Sequence, residues 1–367
     1  MILFLRLCKS KILKLSIIYF IAFLSFDFIF GNSIIKLLYK NNFLSNQKIK
    51  LEENFKEEKK YRIKHNYFHH TLKENIEAKS HWGPYVYKTC TDRNGFRKMC
   101  NKTKIVSKKK NIVLIGDSFT EGIGLNYEKT FAGMLSNSSK NNIINMGVIS
   151  YSPIIYKNKI QFYLDKGFKI DHLFVFIDIS DIDDETIYYS CDNNSVCSEK
   201  DDLSSNNNQI TQKINFPIFK NIKRSIRLIK RNFFPKIHVY EKNFERSSWT
   251  YIENNSKIQK GIDSSIKNMD ELYHLLKQKN IPISIAVYPW PGQILYDVKN
   301  SKQVEIWKKF CVKRCDNFIN LFPIFFDEIT NNKRKKVVEK FYLKNDIHFN
   351  EIGNRKIFSH INNLKLF

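Results

Sequence analysis

Acidic residues are scarce in this chain of 367 residues: 36 Asp and Glu stand against 61 Lys and Arg, a formal net charge of +25 and a pI near 9.6. That balance invites a nucleic-acid reading, yet no nucleic-acid motif is present. The bases are instead spread among Asn and Ile, as in KNNFLSNQKIK and NNSKIQK. This is the pattern of a solvated basic surface, so no nucleic-acid partner is expected, while an anionic polysaccharide or a membrane surface stays compatible with the charge. A CxxC repeat and a histidine cluster are also lacking, which argues against zinc. His69, His70 and His81 have no convincing ligand spacing and read as structural, and the acidic run DISDIDDE reads as a loop capped by acids rather than a Ca²⁺ site. No metal and no cofactor are expected. A small-x-small cleavage site is missing after the N-terminal apolar stretch, where Phe28, Ile29 and Phe30 stand. That favours an uncleaved anchor over a removed signal peptide.

The apolar stretch itself, Leu15 to Phe30, follows Arg6, Lys9, Lys11 and Lys14. It is short for a span of about 20 residues, but Ile34 to Leu38 lengthens its reach. The basic flank predicts that the first residues stay in the cytoplasm. The expected location is the bacterial inner membrane, crossed once, with the bulk of the chain in the periplasm. Cysteine usage agrees with export: Cys8 lies in the flank, and the other six fall into close pairs, Cys90 with Cys100, Cys191 with Cys197, and Cys311 with Cys315. Six cysteines permit fifteen connectivities in principle. Local pairing is the simplest, and CTDRNGFRKMC carries an Asn-Gly turn suited to a hairpin.

A hydrophobic content of 43% with 14% aromatics marks a folded chain. Its organisation reads as a cytoplasmic tip (1–14), a membrane anchor (15–38), a polar stalk (39–64), a small folded prelude with the Cys90/Cys100 hairpin (65–110), and a main domain (111–367). Within the last, residues 190–253 form an insertion whose basic amphipathic stretch, IFKNIKRSIRLIKRNFF, reads as a lid, a membrane contact or a solvated surface helix. Buried strands are expected at 112–115, 142–147, 173–179 and 283–288, and helices after Ser118 and over about 154–165, 256–279 and 303–311. Such alternation argues for a parallel sheet covered on both faces, with reactive groups beyond the carboxyl ends of its strands.

Ser118, Gly147 and Ser180 all fall at such ends. In GDSFTEG, Ser118 follows a strand, and the next helix offers N-terminal N–H groups to a developing negative charge. In NMGVISYSP, Gly147 brings a bare backbone close to a ligand. In KNDIHFNEIGN, Asp346 and His348 alternate across one residue and project to the same side in extended geometry. That suits a carboxylate orienting an imidazole that removes a proton from Ser118. YPWPG (288–292) follows a late strand, where Trp290 reads either as a stacking platform for an acyl or sugar group or as a packed aromatic in a rigid loop.

Taken together, Gly116-Asp117-Ser118, Asn145-Met146-Gly147 and Asp346-Ile347-His348 resemble the SGNH (GDSL-type) hydrolase family over about Asn111 to Asn363. The resemblance implies a flavodoxin-like three-layer α/β/α fold with a mostly parallel five-stranded sheet. It also implies that Ser118 is the nucleophile, His348 the general base and Asp346 its orienting carboxylate, with the N–H groups of Ser118 and Gly147 as oxyanion donors. It includes esterases, lipases, thioesterases and carbohydrate O-acetylesterases, and a membrane-anchored branch with a DxH pair transfers O-acetyl groups on polysaccharide. The expectation is therefore a membrane-anchored serine esterase acting on acylated carbohydrate or another small ester. The alternative is a weakened binding or assembly protein of the same fold. Two departures stand out. One residue rather than two separates Asp346 from His348. The usual GxND block reads Asp178-Ile179-Ser180-Asp181, with Ser180 in the Asn position and Asp178 and Asp181 beside it as further groups facing the substrate.

Overall fold

The computed structural model describes residues 11–40, 58–101, 110–187, 189–191, 197–199, 218, 240, 242, 245–252, 256–329 and 333–367. The chain divides into two units, Met1–Glu53 with Asp202–Lys236, and Asn54–Asp201 with Ile237–Phe367. In the first unit a 30-residue helix, Lys11–Lys40, contains an apolar stretch, Lys14–Ile34, long and apolar enough to cross a membrane. Asp27, buried within this unit, accepts the Ile218 N–H at 2.7 Å. The tip before Lys11, most of the stalk and nearly all of the basic stretch 218–234 lie outside the described residues.

Among its described residues the second unit is built on twelve strands. In chain order they are β1 (Arg62–His65), β2 (His69–Leu72), β3 (Glu77–Trp82), β4 (Tyr85–Thr91), β5 (Arg97–Lys98), β6 (Asn111–Gly116), β7 (Asn142–Asn145), β8 (His172–Ile177), β9 (Tyr189–Cys191), β10 (Cys197–Glu199), β11 (Ile283–Val287) and β12 (Asn317–Asn320). Eight of them form one sheet in the order β12-β11-β8-β6-β7-β5-β4-β3. The first five are parallel. Read in chain order, β6, β7, β8, β11 and β12 lie as 2-1-3-4-5, the flavodoxin-like arrangement, whose switch point falls between β6 and β8. The three central strands, β11, β8 and β6, are mostly apolar and buried on both faces, as in LFVFI and IVLIG, while β7 and β12 on either side each begin and end in Asn. Helices Pro153–Asp165, Asp181–Ile187 and Ser256–Gln278 pack together as one layer, and Phe131–Ser138, Arg334–Phe341 and Glu351–Asn363 as the other.

The prelude is no separate body. Strands β3, β4 and β5 run antiparallel and extend the five parallel strands into one continuous sheet, with β5 meeting β7 at Arg97 opposite Asn145. The β3–β4 turn is Gly83-Pro84, with Gly83 at φ +55, a conformation that a side chain disfavours. The Cys90–Cys100 and Cys311–Cys315 disulfides form as the spacing suggested. Cys191 stands opposite Cys197 in the β9–β10 ladder; the Cys191 side chain lies outside the described residues.

Candidate active site

Strand β6 ends at Gly116, where Asp117 caps the next turn by accepting the Phe119 N–H at 3.0 Å. The helix that follows, Ser118–Glu121, is a single turn rather than a long element, closed by Gly122 at φ +87. Its dipole is correspondingly small. Ser118 thus opens this turn at the switch point, only 5% exposed.

From the far end of the chain, the loop after Phe341 delivers the other two members. His348 Nε2 lies 2.8 Å from Ser118 Oγ, and His348 Nδ1 lies 2.5 Å from Asp346 Oδ1. The same Asp346 oxygen accepts the His348 N–H at 2.9 Å, a tight local turn made possible by the one-residue spacing. Asn345, in the left-handed region at φ +62, bends the chain into it. Burial works against a charged Asp346, but the imidazole and its other donors outweigh it and hold the carboxyl below its usual range. Phe119 packs beneath the imidazole, ring centroids 4.8 Å apart.

The oxyanion candidates are differently placed. Gly147 lies against the Ser118 turn; a Cβ there would stand 2.7 Å from Thr120 Cβ, so only glycine fits. Its N–H donates to Asn145 Oδ1 at 3.0 Å, and Asn145 Nδ2 donates to the Thr120 carbonyl at 2.6 Å. Ser180 follows β8 as expected, but its N–H donates to Asp178 Oδ1 at 2.6 Å. Of the two expected backbone donors, Ser118 and Gly147, the Gly147 N–H is therefore engaged by a side chain of its own loop, and the loop of Ser180, expected to donate through its hydroxyl, is bent the same way by its own Asp178.

Asp178 and Asp181 were expected to face substrate. Both are buried, and with Asp117 they bring three carboxylate oxygens within 4.8 Å of one another, a set able to hold a cation. The run DISDIDDE is no capped loop, for Asp181 opens the helix Asp181–Ile187. Asp117 accepts from Tyr288 at 3.1 Å, and Asp181 Oδ2 accepts from Tyr156 at 2.8 Å, while Asp181 Oδ1 has no hydrogen-bond partner among the described residues. Burial, reinforced for Asp117 and Asp181 by the Asp178 charge, pushes all three carboxyls above their usual range. Trp290 is likewise no open platform. It is 1% exposed, and its indole N–H donates to Asp178 Oδ2 at 2.5 Å. Two prolines hold the loop while the apolar ring fills space beside Phe119.

Several residues of the site carried no signal in the sequence. Trp82 of the prelude donates to Asp346 Oδ2 at 2.7 Å. Arg62 of β1 grips Glu121 by a two-pronged ion pair at 2.7 and 3.0 Å, and Glu121 also accepts the Ile149 N–H at 2.8 Å. His69 and His70 pair through their Nδ1 atoms at 2.8 Å, and His70 Nε2 meets the Ile149 carbonyl at 2.7 Å, a structural role.

No protein-family model and no curated protein matches the chain. Among solved structures it is similar to a member of the lipolytic protein G-D-S-L family from Veillonella parvula, at 14% identity and a TM-score of 0.38 over 70% of this chain and 97% of that one. It is also similar to a catalytic mutant of Axe2, an acetylxylan esterase from Geobacillus stearothermophilus, at 11% identity and a TM-score of 0.39 over 72% and 97%. A third likeness is to EstA, a psychrotrophic esterase from Pseudoalteromonas, at 10% and 0.36 over 70% and 99%.

Proposed function

We propose that the chain is a serine ester hydrolase of SGNH type, carried by the continuous relay Ser118–His348–Asp346 at the β6/β8 switch point. Ser118 Oγ attacks the ester carbonyl carbon as its proton passes to His348 Nε2, and Asp346 holds the imidazole in the required tautomer. Collapse of the tetrahedral adduct expels the alcohol, which leaves with that proton, and an acyl-Ser118 ester remains. Water then releases the acid, or a sugar hydroxyl accepts the acyl group. The relay supplies base and nucleophile and is indifferent to which acceptor enters.

The finer reading places this chemistry on O-acetyl groups of envelope carbohydrate, with the Lys11–Lys40 helix as a single-pass anchor and the second unit on the periplasmic side. Its supports are the basic flank before the apolar stretch, the two disulfides, which suit an oxidising compartment, and the resemblance of the DxH pair. Purified protein is assayed with p-nitrophenyl acetate and labelled with a fluorophosphonate. Wild type is expected to turn over and to take the label at Ser118; a Ser118→Ala protein of equal activity would sink the assignment.

A second reading is favoured by the buried carboxylates. Three acids beside a nascent oxyanion, with the Gly147 and Ser180 N–H groups already engaged, suit a protein that binds acylated glycan with little turnover. Saturable glycan binding without fluorophosphonate labelling would identify it.

A further inference from the structure

The geometry points to Trp82 as a positioning residue of the reaction, acting through Asp346; this rests on the reading of Ser118, His348 and Asp346 as the reacting set. Asp346 Oδ1 is fully committed, since it takes both the His348 ring Nδ1–H and the His348 backbone N–H. Its second oxygen, Oδ2, faces away from the imidazole and is met by the indole N–H of Trp82 at 2.7 Å. An unrestrained carboxylate would pivot about its Cβ–Cγ bond and exchange its oxygens. With one oxygen clasped by His348 and the other by Trp82, both ends are fixed in a plane.

Around this contact the prelude hairpin forms a cradle. The Trp82 ring meets the His348 ring edge-on, centroids 5.2 Å apart and planes at 90°. Tyr85, opposite Trp82 across the Gly83-Pro84 turn, donates to the Lys344 carbonyl at 3.4 Å, and Tyr240 donates to the Asp346 carbonyl at 3.1 Å. The loop carrying the acid and the base is thus held by groups from two distant stretches. The short Asp-x-His spacing puts acid and base on one loop, so this support reaches both. The loop is closed by its own bonds, Leu343 N–H to the His348 carbonyl and Asp346 N–H to the Leu343 carbonyl, but these leave the carboxylate plane of Asp346 to be set by partners outside it.

Trp82→Phe keeps the aromatic bulk and deletes the donor. It is expected to lower kcat about tenfold or more, the worth of a hydrogen bond to a charged group, with KM within about twofold. Loss of the donor also leaves more negative charge on Asp346, which favours the protonated form of the relay it supports, so the acid limb of kcat/KM moves to higher pH. Among the described residues the titratable groups bonded to this loop are Tyr85 and Tyr240, Lys344 lies within it, and Asp117 meets Ser118 from the other side. A purely structural role would leave that limb in place. In an Asp346→Asn background the Trp82→Phe cost is expected to vanish, since the two share one bond. A wild-type kcat and acid limb in Trp82→Phe, or an undiminished cost in the double variant, overturns the proposal. Fluorophosphonate labelling separates the two questions: Trp82→Phe still labels at Ser118, more slowly, whereas hydrolysis that survives Ser118→Ala defeats the underlying reading and not the role of Trp82.

Discussion

The hydroxyl of Ser118 stands 3.1 Å from the carboxylate of its own neighbour, Asp117. The same oxygen is 2.8 Å from His348 Nε2. One hydroxyl proton therefore has two acceptors, and only transfer to His348 is productive. Asp117 is drawn into competition by ionisation and out of it by protonation, and its protonation is shared with Asp178 and Asp181.

That coupling sets the first prediction. A buried carboxyl whose folded pKa is raised keeps its proton when the unfolded chain has lost it. The folded state then binds more protons, and stability falls as pH rises from the unfolded carboxylate value of about 4 through the folded one. Asp181→Asn leaves an oxygen to accept from Tyr156 and puts an amide donor where Oδ1 has no partner among the described residues. It is expected to raise Tm at pH 8 and to raise it less at pH 5, by thermal melts of the full chain in detergent. An equal or lower Tm at pH 8 would show the cluster to be neutralised in another way.

Asp346→Asn removes the charge that orients and stabilises the imidazolium. A loss of kcat on the order of 10³–10⁴-fold is expected, with KM little changed, in p-nitrophenyl acetate kinetics. A loss below tenfold would mean that the loop, not the carboxylate, carries the orientation.

The ion pair of Arg62 with Glu121 sits directly below the Ser118 turn, and Glu121 is fully buried. Burial opposes the Glu121 charge, yet Arg62 more than offsets it and holds the carboxyl below its usual range. This contribution is present above about pH 4.3 and is lost as pH falls through the lowered folded pKa. Arg62→Met is expected to cost about 3–5 kcal/mol, since it leaves an uncompensated buried charge. The double variant with Glu121→Leu is expected to cost less than either single change. Urea unfolding of the three proteins decides it.

Lys159 is wholly buried, with its Nζ 3.0 Å from the Met146 carbonyl and 3.1 Å from the Tyr151 hydroxyl, over the Phe68, Phe96 and Tyr151 rings. Burial lowers its pKa to about 7. Between that value and the unfolded value of about 10.4 the unfolded chain binds more protons, so stability rises with pH across this window. Lys159→Met is expected to remove the rise between pH 7 and 10, visible as a flatter Tm-against-pH curve. A wild-type slope in the variant would assign the rise to other groups.

Much of the architecture was legible because it is written in local pattern. Strands β6, β8 and β11 are largely apolar, as in IVLI, LFVFI and ISIAV, and the helices over 153–165, 256–278 and 302–311 fall within a residue or two of their expected bounds. Strand β12 was not foreseen, since NFIN holds only two apolar residues, flanked by asparagines, and shows neither alternation nor an apolar run. Ser118, His348 and Asp346 were legible as motif residues, and the structure brings them together. Trp290 could not be placed, because a proline-bracketed tryptophan reads alike whether it faces solvent or core. The acids at 117, 178 and 181 look like turn formers one at a time; only the fold shows that β6 and β8 end side by side. Trp82 carries no local mark of its partner at all.

Trp82 and Asp346 are 264 positions apart. One is therefore synthesised well before the other. Their meeting closes a ring through nearly three quarters of the polypeptide, with the sheet assembled between its two ends. A nascent or truncated chain that has built most of its sheet therefore still lacks the acid and base that Ser118 needs. Reactivity at that serine accordingly reports on the docking of the Asp346–His348 loop, and cannot precede it.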